Sequence, residues 1–305
     1  MQNRRKLIRN STGLIAGSFM MPAFASSFFK SSYPPPGIQL FTFFDMIDKD
    51  VEGTLKRIAQ TGYVEIESAF SKKGGYYGNT PKQFSALLTG MGLTWKSHHV
   101  LGAPFKLPPG AKMPMGSDGK PMTIPPMHTL RDNMQEIIDE VSEGGVEWLV
   151  CANTPTNTLN EIHSSIEVLN RTDEACKKAG LHFAYHNHDA EFHDVEGKIP
   201  YQMLLSEGTM KMELDLAWPI KGGQDPVDLF NKNPGRFPLW HVKDLDSTRE
   251  NILPVGSGTI DFKRIFAASE TAGLKNYFVE HDMPKDAWDS IQKSLVTLKE
   301  LAPVS

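Results

Sequence analysis

Residues 146–188, VEWLVCANTPTNTLNEIHSSIEVLNRTDEACKKAGLHFAYHNH, decide the fold. VEWLVCA (146–152) is an apolar run of strand length. LNEIHSSIEVLNRTDEACKKAG (159–180) spaces its apolar residues along one helical face and stops at a glycine, a fitting C-cap. LHFAYHN (181–187) is a second apolar run. Strand, helix and strand in that order form a parallel pair joined by a helical crossover.

The unit repeats in both directions. Strands are predicted at GIQLFTF (37–43), YVEIES (63–68), LTWKSHHV (93–100), KMELDLA (211–217), PLWHVKD (238–244) and NYFVEHD (276–282). Helices are predicted at 51–62, 81–92, 129–145, 201–208, 225–233, 261–273 and 286–301. Eight strands alternating with eight helices make an α/β protein. The expectation is a single-domain (β/α)8 TIM barrel over residues 37–301. An open doubly wound sheet is the alternative, but it rarely repeats its unit so evenly. No G-x-G-x-x-G turn follows the first strand, which argues against a dinucleotide fold.

One connection is long. Residues 101–127, LGAPFKLPPGAKMPMGSDGKPMTIPPM, carry seven prolines and four methionines. A loop of that length in a compact domain is commonly functional, and in a barrel it is expected to cover the mouth.

The start of the chain reads differently. MQNRRKLIRN is basic, STGLIAGSFMMPAFA is mildly apolar, and Ala23-Phe24-Ala25 fits a small-x-small cleavage site. Residues 1–26 are read as an export signal, cut near Ala25 and placing the protein in the periplasm. The pair Arg4-Arg5 with Leu7 suits the twin-arginine type, with an ordinary secretion signal as the alternative. SFFKSSYPPP (27–36) is a linker. No stretch is long enough to span a bilayer, so no membrane insertion is expected. Net charge is −4 and no basic stripe interleaves with aromatics, so no nucleic-acid partner is expected either. Cys151 and Cys176 are the only cysteines; a bridge and two buried thiols both remain open.

In such a barrel the active site lies at the C-terminal ends of the strands. Those ends carry Glu67, Ser97-His98-His99, His186-Asn187-His188, Asp215, His241-Val242-Lys243-Asp244 and Glu280-His281-Asp282. Strands five to eight therefore each bring a carboxylate or imidazole to one rim. Such groups are costly to gather unless a cation neutralises them. Mixed imidazole and carboxylate donors suit Mn, Co, Zn or Fe better than Mg. Taken singly, each residue has a plainer reading as a cap, a core histidine or an ion-pair partner.

The stretches GIQLFTF, GTLKRIAQTGYVEIE, AGLHFAYHNHDAEF, ELDLAWPIKGGQDP, WHVKDLD, VGSGTIDF and YFVEHD resemble the xylose-isomerase-like barrel proteins. That family includes sugar isomerases, ketose 3-epimerases, inosose dehydratases and metal-dependent AP endonucleases. The resemblance covers residues 37–301 and is closest to an exported branch with YHNH in strand five. It implies one divalent ion held by His186, Asp215, His241 and Glu280, with His186 standing where the epimerases have glutamate. Trp218 likewise replaces an epimerase histidine. Glu280, His188 and Glu191 are implied as proton-transferring residues. Glu67, His99, Trp218, Lys243 and Asp244 are implied as substrate contacts, and Phe41, Phe43 and Trp218 offer faces for a sugar to stack on.

The implied partner is a small carbohydrate; self-association into a homo-oligomer stays open. Isomerisation, epimerisation and β-elimination beside a carbonyl share a first step, proton removal with enediolate stabilisation. Loss of the second metal-bound glutamate favours elimination or isomerisation of a keto sugar or keto glycoside over two-base epimerisation. Phosphodiester hydrolysis fits poorly, because it needs more clustered ions and a basic face. A non-catalytic sugar-binding barrel is the alternative of another class. VGSGTIDF (255–262) reads either as a phosphate cradle or as a tight turn into a helix.

Overall fold

The computed structural model describes residues 33–44, 46–104 and 127–301. Residues 1–32, which carry the export-signal reading, lie outside the described residues. So does 105–126, most of the long proline-rich connection.

Eight parallel strands close into one barrel. They are β1 (Pro36–Gln39), β2 (Glu65–Ser68), β3 (Thr94–Leu101), β4 (Trp148–Asn153), β5 (His182–His186), β6 (Lys211–Asp215), β7 (Leu239–Val242) and β8 (Asn276–Val279). Each pairs with its sequence neighbour, and β1 pairs with β8 to close the ring. The single-domain (β/α)8 expectation is met.

The helices between strands begin and end on local signals. The helix Leu159–Ala179 starts at Thr158, whose hydroxyl accepts from the Glu161 N–H, and stops at Gly180 with φ 77°. Only a residue without Cβ adopts that conformation freely. Its apolar face, including Ile162, Ile166 and Leu169, is buried in the core between barrel and helices.

Inside the barrel the side chains form layers, because alternate strand residues point inward. Trp148, Val150, Ala184, Leu239 and Phe278 make a small, separate apolar floor. Gly37 leaves room for the Phe278 ring, which would collide with any Cβ there. Above the floor the inward residues turn polar, and the site begins.

Three local expectations are corrected. GIQLFTF is a strand only as far as Gln39; Leu40–Phe43 form a 3-10 turn. That turn buries Phe43 against Trp288, with ring centres 4.7 Å apart, so Phe43 offers no face to a sugar. Beyond β7 the chain does not run straight on. Asp244–Leu245 pair antiparallel with Ile252–Leu253 in a small hairpin. A short helix, Ala217–Lys221, follows β6 where none was expected.

Candidate metal centre at the barrel rim

Strand register sets which groups meet. Asp215 lies beside His241, His186 beside Glu213, and Gln39 beside Glu67, which in turn lies beside Ser97. His186, Asp215, His241 and Glu280 converge: one ligand atom from each lies within 4.8 Å of all the others. His241 Nδ1 is 3.0 Å from Glu280 Oε2, and His186 Nε2 is 3.9 Å from Asp215 Oδ2. The four residues of the sequence expectation are thus brought together.

A second layer lies one inward position deeper. His99, His186, Glu213 and His241 also converge within 4.8 Å. Glu213 Oε2 is 2.7 Å from His99 Nε2 and 3.1 Å from His186 Nδ1. Glu67 accepts from Gln39 Nε2 at 2.9 Å and from Ser97 Oγ, and bonds His241 Nε2; His99 Nε2 is 3.0 Å away. Sequence reasoning missed Glu213. The signal was present: Glu213 is two residues before Asp215 and must share its face.

Lys243 is more central than expected. Its ammonium lies 2.5 Å from Glu280 Oε2, 2.7 Å from Asp282 Oδ2 and 2.8 Å from Asp215 Oδ2. It also sits 4.9 Å from the centre of the Trp218 ring.

Burial opposes every charge in this cluster, and the neighbours decide the outcome. Burial works against ionising Glu280, but Lys243 and His241 hold it well below the usual carboxylate range. Glu67 is likewise held down against burial by His99 and His241. Burial and the Glu67 charge push Glu213 up to about 7. Burial raises Asp215 despite Lys243. Burial disfavours charge on His99, yet Glu67 and Glu213 lift it to about 9. His241 rises further against burial, under Glu213, Glu280 and Glu67. His186 is pushed down by burial and then by His241.

The residues fit a divalent cation. Asp215 Oδ2 is buried, and the cation nearest to it is Lys243 Nζ at 2.8 Å, which it shares with Glu280 and Asp282. Glu213 Oε1 is without a hydrogen-bond partner among the described residues. The carboxylates around His241 demand positive charge, which either a proton or a metal can supply. Two imidazoles and two carboxylates are a donor set for a transition ion.

Other expected site residues fall elsewhere. His188 is half-buried beside a cavity of about 480 Å³, its ring centre 4.9 Å from that of His186. Its Nδ1 has no partner among the described residues. Phe41, Phe70 and Tyr76 line the same cavity, and Trp218 is half-buried with its ring centre 6.4 Å from that of His188.

Glu67 is corrected from substrate contact to buried support, being 0% exposed with its oxygens engaged. His99 edges the cavity, but its Nε2 is taken by Glu213 and Glu67. Glu191 is corrected too. Its oxygens accept from Tyr185 Oη at 2.5 Å and from the His188 N–H at 3.0 Å, tying down the turn after β5. Asp244 is not a substrate contact: it accepts from the N–H groups of Leu245, Gly256, Gly258 and Ile260 at 2.8–3.0 Å. The anion held by the VGSGTIDF turn is therefore the protein's own carboxylate, and the tight-turn reading holds. Cys151 and Cys176 are free and buried. Among the described residues no helix is long and apolar enough to cross a membrane.

The chain matches no protein-family model. Over 156 residues it is 25% identical to an inosose dehydratase of Geobacillus thermodenitrificans (strain NG80-2). That match takes in 45% of this chain and spans about half, 52%, of the length of that curated relative. A sugar phosphate isomerase/epimerase structure from Parabacteroides distasonis superposes with TM-score 0.70 at 24% identity, over 93% of this chain and 100% of that one. The IOLI protein, solved with a zinc atom, superposes with TM-score 0.65 at 15% identity, over 88% and 98%. Likeness at this level carries the fold: the chain shares the barrel of sugar isomerase, epimerase and xylose-isomerase-like proteins.

Proposed function

We propose that the protein is a divalent-metal-dependent enzyme acting on a carbohydrate, of the sugar isomerase, epimerase or dehydratase type. The carrying observation is the convergence of His186, Asp215, His241 and Glu280 at one buried rim. Beside it lies a cavity with room for a sugar. The zinc-bound and dehydratase relatives support the reading. When bound, a divalent ion supplies Lewis-acid polarisation of a carbonyl oxygen.

The chain's own groups suggest the finer chemistry. The strand-five donor is an imidazole, so the pair of glutamates used in two-base epimerisation is incomplete. Glu280 stays charged beside Lys243. His188 lines the cavity wall, with its ring centre 4.9 Å from that of His186. With a 3-keto glycoside, His188 takes the proton from C2. The C–H electron pair becomes the C1–C2 double bond, and the C1–O bond breaks toward the aglycone oxygen. His188 then returns the proton to that oxygen. Isomerisation of a keto sugar uses the same first proton transfer.

Metal-loaded protein is incubated in deuterated water with a 3-keto glucoside, beside fructose and tagatose. Release of the aglycone with loss of the C2 hydrogen, giving the 1,2-unsaturated 3-ketone, supports elimination. Clean C3 epimerisation of a free ketose, with the keto glycoside untouched, overturns it.

We also propose export to the periplasm through residues 1–26. The motivation is the Arg4-Arg5 head with the Ala23-Phe24-Ala25 cleavage pattern. Fractionated cells should yield a periplasmic chain beginning near Ser26; a cytoplasmic chain retaining Arg4 and Arg5 rules it out.

A further inference from the structure

We propose that Glu67 and Glu213 are positioning residues of the metal centre, each taking the ring N–H that a ligand histidine points away from the ion. The inference rests on the metal-dependent reading above. A neutral imidazole has one N–H and one lone pair, and only the lone pair binds metal. His186 Nδ1 is 3.1 Å from Glu213 Oε2, while its Nε2 is on the Asp215 side. An Nδ1–H donated to Glu213 leaves the Nε2 lone pair facing the rim. His241 is the mirror case. Its Nε2 bonds Glu67 and lies 3.3 Å from Glu213 Oε2, and its Nδ1 is 3.0 Å from Glu280 Oε2. The two rings therefore use opposite nitrogens, and each carboxylate selects the tautomer that its ring needs.

The deep layer is built for holding rather than for binding substrate. Glu67 and Glu213 are both 0% exposed. His99 Nε2 lies between them, 2.7 Å from Glu213 and 3.0 Å from Glu67, and ties the two carboxylates together. The His99 ring stacks on His241, with planes 5° apart. Removing such supports typically weakens metal binding by about 10–100-fold. The deep groups also converge closely enough to be a ligand set themselves. They share His186 and His241 with the rim set. Filling both positions would require both rings to lose their N–H protons, so one ion at this centre is expected.

The test uses the full folded chain. Cobalt(II) is titrated by absorbance into the wild type and into Glu213→Ala, Glu213→Gln and Glu67→Ala. Zinc-loaded, 15N-histidine-labelled wild type is read by two-bond 1H–15N correlation. The expected results are one tightly bound cobalt that is lost on substitution at the centre, Nδ1–H on His186 and Nε2–H on His241. Affinity should fall about 10–100-fold in both alanine variants. Glu213→Gln should recover most of the loss, because its amide oxygen still accepts the N–H. Opposite tautomers, or alanine variants that bind as tightly as wild type, overturn the inference. The tautomers are read on wild type, so they decide even where a variant misfolds. Wild type that takes no cobalt at all instead sinks the metal-dependent reading.

Discussion

Lys243 Nζ lies 2.5 Å from Glu280 Oε2, the same oxygen that is 3.0 Å from His241 Nδ1. An ammonium therefore stands inside the anionic cluster that would hold the ion. Burial disfavours its charge, but Asp215, Asp282 and Glu280 outweigh that and raise its pKa well above the usual lysine range. Lysine and metal share one electrostatic task here, which is to neutralise buried carboxylates.

Lys243→Met should destabilise the metal-free protein by roughly 3–5 kcal/mol, the cost of leaving buried carboxylates unpaired. Added zinc should then raise the melting temperature of the variant more than that of the wild type, because the ion replaces the missing charge. Thermal shifts with and without zinc check this. Equal shifts in the two proteins would mean that lysine and ion act independently.

Asp215→Ala and Glu280→Ala should each abolish tight metal binding while the barrel stays folded. Each leaves a single carboxylate in the rim set of His186, Asp215, His241 and Glu280. Elemental analysis alongside circular dichroism measures both. Full metal occupancy in both variants removes these residues from the ligand set.

Asp244→Ala should act on stability and spare the ion. Four backbone N–H groups of the 245–260 turn would lose their acceptor, a cost of about 2–4 kcal/mol. Denaturant unfolding should show that loss, with metal affinity near wild type. A drop in metal affinity without a drop in stability would return Asp244 to the site.

Cys151 and Cys176 should resist modification. Burial pushes both thiols up to about 12, so little thiolate exists near neutral pH. Ellman's reagent at pH 8 should label neither until denaturant is added. Rapid labelling of the folded protein would contradict their burial.

The order of strands and helices was readable from the sequence because local physics writes it. Helical spacing ends at glycines such as Gly180, and short apolar runs begin after them. Parallel strands all point their C-terminal ends the same way, so that order also located His186, Asp215, His241 and Glu280 at one rim. Depth and direction were not readable. Glu67 reaches His241 across the barrel, a contact spanning 174 residues that closure alone creates. Lys243 turns inward among three carboxylates, and whether a rim lysine faces substrate or cluster depends on how neighbouring strands are staggered. Glu191 and Asp244 look like site residues in the chain. The turns that follow β5 and β7 aim their carboxylates at backbone amides, which become neighbours only after folding. Residue type and strand position named the donors; tertiary packing decided which donors face a cation, which hold the others in place, and which cap a turn.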